Sequence, residues 1–107
     1  MTRFGKRNES LPDLIAEAAY AALTDAGLDQ PDALVVGAMN PEEFTGDGNF
    51  GSLINTHLGL AKLPALRVET ATSSGLAAFY TGFAAVAAGL HRNVLVLGGE
   101  KMSHVAT

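Results

Sequence analysis

Three groups of residues in this chain have the types and spacing to do chemistry. Thr72-Ser73-Ser74-Gly75 is a hydroxyl-rich turn between a strand candidate and the start of a long apolar helix. Free amides and the helix dipole at such a place favour an anion, or a nucleophile with a lowered pKa. Ser and Thr are equally good as plain N-caps, so the turn carries two readings. Gly46-Asp47-Gly48-Asn49-Phe50-Gly51 fits G-x-G-x-x-G, with Glu69 at a strand end further on, the outline of a dinucleotide fingerprint. Its setting disagrees. Residues 40–45, Pro41 among them, separate it from the preceding strand, and Glu42, Glu43 and Asp47 would repel a pyrophosphate. The third group is His57, His91 and His104, which lack metal-ligand spacing and have no carboxylate partner implied by the sequence. His57 falls on an apolar helix face and reads as a satisfied core residue. His91 follows a helix C-terminus, where a cation is mildly favoured. His104, just past the last strand, is the histidine with a route to a site.

Composition narrows the field. With 107 residues, 48% hydrophobic and 17% charged, the chain has room for one domain with a real core. The net charge is −4, and the nearest thing to a basic run, Arg3, Lys6 and Arg7, is followed at once by Glu9. Nucleic acid and anionic membranes are therefore poor partners. The absence of cysteine excludes a disulfide framework, a zinc–thiolate centre and a thiol nucleophile. The N-terminus has no apolar h-region, and the uncharged run from Gly75 to Leu90 is short for a membrane span. The expected location is the cytoplasm, and the run reads as a buried helix.

The elements that must hold these groups are legible. Ser10 caps a first helix with Asp13 completing a capping-box-like pair and Pro12 in the first turn; Leu11, Leu14, Ile15, Ala18, Ala22 and Leu23 recur at helical spacing and Gly27 stops it. Ala33 to Met39 is an apolar run with β-branched residues and no polar alternation, as expected of a strand covered on both faces. Asn40 to Gly51 reads as a polar loop. A short helix follows, with Phe50, Leu53, Ile54, His57 and Leu58 on one face and Gly59 closing it. Leu66 to Glu69 and Asn93 to Leu97 are further strands, separated by the helix from Ser74 to Leu90. Helices alternating with strands predict an α/β fold with right-handed crossovers and a mostly parallel sheet. The last helix carries no charge from Leu76 to Ala88. A helix apolar all round must be buried on all sides, which implies a central layer between two sheets. One chain of this length holds material for one sheet, so the second must come from elsewhere.

Val68-Glu69-Thr70-Ala71-Thr72-Ser73-Ser74-Gly75, then Leu95 to Met102 (L-V-L-G-G-E-K-M), resemble two hallmarks of the thiolase family. These are the turn that presents the nucleophilic cysteine at a buried helix N-terminus, and the segment ending the following strand. The opening Met1-Thr2-Arg3-Phe4-Gly5 resembles the segment after the family's first strand, particularly in its lipid-transfer-protein-like branch. The resemblance implies an incomplete N-terminal half of the thiolase fold (residues 1–107, a partial domain), an acyl-CoA thioester as substrate and no further cofactor or metal. It implies Thr72 at the nucleophile position, with Ser73, Ser74 and Gly75 facing the substrate. It also implies a first strand before Met1, so that the sheet would lack a central member, and catalytic histidines beyond Thr107. In the family the strand before the turn pairs across a two-fold axis, so Leu66 to Thr70 is expected at a dimer contact, with Arg67 and Glu69 meeting their opposites. A complementing thiolase-like subunit is the other expected partner. A threonine hydroxyl is a much weaker nucleophile than a thiol near neutral pH. The helix dipole contributes roughly 0.3–2 kcal/mol, about one pKa unit, too little to ionise an alcohol. The isolated chain is expected to be inactive as a thiolase. Retro-aldol cleavage of an acyl-CoA, or acyl-CoA binding without catalysis, are the alternatives.

Overall fold

The computed structural model describes residues 1–3, 5–60 and 62–102; His104 lies outside them. Helix α1 (Leu11–Ala26) begins where Ser10 Oγ accepts the amide of Asp13 at 3.2 Å, and ends at Gly27, whose left-handed φ of 70° returns its amide to Leu23 and Thr24. Strand β1 (Ala33–Gly37) is buried along its whole length. The stretch expected to be a loop contains a four-residue helix, α2 (Pro41–Phe44), started by a proline that needs no partner for its missing N–H. Helix α3 (Phe50–His57), strand β2 (Ala65–Val68), helix α4 (Ser74–Ala87) and strand β3 (Val94–Gly98) complete the order. The strands stop or start within a residue or two of their expected ends; past Gly37 the Ala38 amide still donates to Val68 O, while Ala38 O and the main chain of Met39 take side-chain partners.

The three strands are parallel in the order β2-β1-β3. Helices α1 and α3 cover one face, where Leu11, Ile15, Ala19 and Leu23 pack with Leu34, Val36, Phe50, Ile54, Leu95 and Leu97 in the main core. The other face carries α4. Among the described residues no central gap opens in the sheet. β1 and β3 are direct neighbours from Ala33↔Val94 to Gly37↔Gly98, because buried ladder groups must be paired and β3 is the strand that pairs them. Asp32 fixes their entry: its carboxylate accepts the amides of Arg92 (3.0 Å) and Asn93 (2.9 Å), and its own amide donates to Asn93 O.

β2 forms one margin of the sheet. Its inner side is identified by two bonds, Leu34 N to Pro64 O (2.8 Å) and Ala38 N to Val68 O (3.3 Å). Main-chain groups alternate along a strand, so those of Ala65, Arg67 and Glu69 face the open margin, and those of Leu66 and Val68 face β1.

α4 meets the sheet through Ser74, Ala78 and Gly82, its buried residues at a spacing of four. Its large side chains point the other way: Leu76, Phe79, Tyr80, Phe83 and Val86 are exposed, Leu76 and Tyr80 to 73% and 74%. The expectation of burial on all sides is thus met on one side only among the described residues. A single three-stranded sheet supplies one layer, and the small-residue face takes it. No helix among the described residues is long and apolar enough to cross a membrane.

Candidate functional site

The carboxyl ends of β1 and β3 and the N-terminus of α4 meet at a cleft of about 310 Å³. Gly37, Gly75 and Gly98 line it, with Ala38, Met39, Ala71, Thr72, Ser74, Gly99, Glu100 and Met102 around them. The approach is close because Gly37 has no side chain: a Cβ there would overlap the carbonyl of Ser74 and lie 2.8 Å from its carbon and 2.9 Å from Ala78 Cβ. Open α/β sheets hold ligands at this end of their strands.

The turn that carries Thr72 is built by its neighbours. Ala71 adopts φ 55°, a left-handed conformation that costs a non-glycine residue roughly 1–2 kcal/mol. Its amide donates to the Glu69 carboxylate, and its carbonyl accepts Ser74 Oγ at 2.6 Å and Ser74 N at 3.2 Å. Ser74, buried, also accepts the amide of Thr70 at 3.0 Å. Ser73 Oγ donates to Thr70 O (2.9 Å) and lies 2.8 Å from Thr70 Oγ1. Ser73 occupies the N-cap position of α4 without making a side-chain cap bond. The capping reading is therefore corrected: the serines hold the turn together and leave the first-turn amides of α4 uncapped by side chains. Thr72, Ser74 and Gly75 line the cleft, and Ser73 does not. Thr72 is exposed, and among the described residues no general base is in hydrogen-bond contact with its hydroxyl.

The other two groups go elsewhere. α2 stands between β1 and Gly46, so the glycine motif is not a strand–turn–helix fingerprint. Gly46 follows α2 with φ 78°, and Gly51 brings α3 against the backbone of Leu66 and Arg67. Glu69, the would-be ribose ligand, serves the Ala71 amide. His57 is an exposed residue rather than a core one, its Nε2 2.8 Å from Asp13 Oδ1. That pair joins α3 to α1, and takes the carboxylate that the capping box would have used. His91 lines a separate apolar cavity between the C-terminal half of α4 and the sheet. Neither histidine lines the cleft. Among the described residues no three His, Cys, Asp or Glu side chains converge as metal ligands.

Gly37, Met39 and Glu100 line the cleft without any local signal that marks them, although Glu100 lies in the L-V-L-G-G-E-K-M segment. Lys101, next to it, is buried and donates to Glu9 O, tying the exit of β3 to the start of α1. Ahead of α1, Glu9 lies below the usual carboxylate range because the Arg7 guanidinium donates to it.

A family model described as the thiolase N-terminal domain matches residues 1–107. The chain belongs to the thiolase family. It is 41% identical to an acetyl-CoA acetyltransferase of Methanothermobacter thermautotrophicus, aligned over 97% of this chain and 28% of that protein. An acetyl-CoA acetyltransferase of Methanocaldococcus jannaschii is also 41% identical, over 97% of this chain and 27% of its own length. Among solved structures, 3-oxoacyl-(acyl carrier protein) synthase III from Pseudomonas aeruginosa PAO1 superposes with a TM-score of 0.75 at 26% identity, covering 94% of this chain and 31% of that one. The corresponding synthase from Aquifex aeolicus VF5 shares the fold with a TM-score of 0.78 at 24% identity, over 91% and 32%. The chain thus spans less than a third of the length of these relatives.

Proposed function

We propose that this chain forms the thioester-facing part of an acyl-CoA enzyme of thiolase fold, and that Thr72 replaces an attacking thiol with a hydroxyl that can only hydrogen-bond. The observation carrying the reading is the position of Thr72. It stands exposed at the rim of the cleft, beside the N-terminus of α4, on a turn whose side-chain bonds among the described residues come from its neighbours. The 41% identity to acetyl-CoA acetyltransferases supports a coenzyme A thioester as the bound molecule, with no other cofactor. Residues 1–107 are read as a partial domain. Ser74 and Gly75 face the acyl group through the cleft, and Ser73 acts by holding Thr70. With no cysteine in the sequence and, among the described residues, no base on the Thr72 hydroxyl, carbon–carbon chemistry here proceeds without an acyl-enzyme at position 72, retro-aldol cleavage being one such reaction. The lack of a base contact among the described residues equally favours a second reading, an acyl-CoA-binding subunit that does no chemistry. In either case the outer face of α4 meets further thiolase-fold material, from a complementing subunit or a second copy, and the setting is the cytoplasm.

Equilibrium dialysis against labelled acetyl-CoA, paired with intact-mass spectrometry, tests this. Saturable binding displaced by free CoA, with no acetyl adduct, is the expected result. Absence of binding, with and without a thiolase-fold partner subunit, refutes the reading; an acetyl adduct on Thr72 refutes the non-covalent role. Turnover of a β-hydroxyacyl-CoA separates the enzyme from the binding subunit.

A further inference from the structure

Arg67 and Glu100 stand on either side of the segment that leaves β1 and forms the cleft wall at Ala38 and Met39. Two consecutive peptide groups in that segment are gripped at both poles. The carbonyls of Ala38 and Met39 accept Arg67 Nε at 3.1 Å and Nη2 at 2.8 Å. The amides of Met39 and Asn40 donate to Glu100 Oε2 at 3.2 Å and Oε1 at 2.7 Å. The guanidinium fork thus takes both oxygens, and both carboxylate oxygens take both N–H groups, each charge facing the peptide pole of opposite sign. Arg67 also donates to Glu42, which ties α2 into the same lacing. Arg67 belongs to β2 and Glu100 follows β3, so the arrangement spans the carboxyl ends of all three strands.

A grip of this kind exceeds what chain connectivity requires. After Gly37 the segment has left the ladder with β3, and a lone Ala38 amide still pairs with Val68. Hydrogen bonds to charged groups contribute more than neutral ones, and these are partly buried. The atoms they immobilise are those of Ala38 and Met39, which share the cleft with Thr72. We infer that Arg67 and Glu100 are a pair of positioning residues that set the width of the cleft between the Ala38–Met39 wall and Thr72, and so decide the size of group that reaches residue 72. The inference rests on the reading of that cleft as the thioester site, and it predicts a steric filter whatever reaction follows.

The sequence has no cysteine, so Thr72→Cys gives a single thiol reporter at the cleft rim. Its alkylation by iodoacetamide and by a bulky aryl maleimide is compared in that background alone and with Glu100→Gln, Arg67→Lys or both. Each change should raise the bulky-to-small rate ratio several-fold. The double change should be no worse than the larger single one, because both act on the same two peptides. Amide exchange at Met39 and Asn40 in the Glu100→Gln chain should speed up roughly tenfold or more, the loss expected from a charge-assisted hydrogen bond, while Leu34 to Val36 in the core of β1 keep their protection. An unchanged rate ratio overturns the inference, as does a rise that occurs only together with loss of protection in β1, which would mark general loosening. Acetyl-CoA binding to the unaltered chain is measured separately. If it is present while the ratio does not move, only this inference fails; if it is absent while the ratio moves, the thioester reading fails.

Discussion

Two glycines bring α4 onto the sheet, and their replacement by alanine should have unequal effects. At Gly37 the new Cβ would meet backbone: it overlaps Ser74 O and lies 2.8 Å from Ser74 C, with Ala78 Cβ at 2.9 Å. Neither backbone atom can turn aside. The N-terminus of α4 must lift, and overpacking of this sort costs about 1–3 kcal/mol or more. At Gly82 the conflict is with one side-chain atom, Val96 Cγ2 at 2.5 Å, with Val94 Cγ1 at 3.4 Å. Here alanine also gains the helix-propensity difference, about 0.8–1 kcal/mol, so a similar clash is partly offset. Gly82→Ala should cost less than Gly37→Ala, by about 1 kcal/mol on these figures. Adding Val96→Ala should recover part of the clash at Gly82, and no neighbouring side-chain truncation should rescue Gly37. Urea unfolding followed by far-ultraviolet circular dichroism, at concentrations where the parent chain is monodisperse, measures each difference. A Gly37→Ala chain as stable as its parent would refute the claim that the Thr72 turn is seated by direct backbone contact.

The purified chain should show no thiolysis of acetoacetyl-CoA above buffer, and Thr72→Cys should not restore it, since no base contacts residue 72 among the described residues; a coupled spectrophotometric assay in host-thiolase-free protein decides. Phe79→Lys with Phe83→Lys should reduce self-association in light scattering without lowering the unfolding midpoint, because both side chains are exposed; a lower midpoint would mean that this face is covered in the folded monomer. Glu42 is held below the ordinary carboxylate range by its own backbone amide and by Arg67. A depressed value means that its contribution is present above the unfolded value of about 4.3 and lost as pH falls through the folded one, so Glu42→Gln should flatten the acid limb of stability against pH. If β2 pairs with a second copy, Ala65→Pro removes an outward donor and should weaken association in sedimentation. Val68→Pro strikes the ladder with β1 and should destabilise the chain itself.

Much of this fold is written locally. Ser10 and Gly27 bracket α1 because a cap and a left-handed stop depend on a few adjacent residues. The unbroken apolar run at Ala33 announces a central strand. What escaped is what depends on distant partners. His57 looked like a core residue from its place on an apolar face, yet Asp13, far off in sequence, draws it to the surface between two helices. Arg67 and Glu69, expected opposite a mate across a two-fold axis, have partners inside the chain that the sequence does not announce. Arg67 reaches Ala38, Met39 and Glu42, and Glu69 the Ala71 amide. The turn at Thr72 was visible through its resemblance. The cleft facing it was not, because its wall comes from the exits of β1 and β3, which no local pattern connects.

The turn also separates scaffold from chemistry. The side-chain bonds that shape it come from Glu69, Thr70, Ser73 and Ser74, with the main chain of Thr70 and Ala71 as their partners. The strain at Ala71 is held by bonds to its amide and carbonyl, and the side chain of Thr72 takes part in none of them. On the function proposed above, residue 72 can therefore carry a hydroxyl in place of a thiol with the backbone left in place, and the presented geometry does not depend on a nucleophile there. On the same proposal the backbone of the turn sets where residue 72 stands, and its reactivity is left to the side chain alone. A hydroxyl at that point donates or accepts a hydrogen bond well and attacks a thioester poorly. This is why the function proposed here relies on binding and orientation at Thr72, and why the width of the cleft, set by Arg67 and Glu100, matters more to it than the acidity of the residue on its rim.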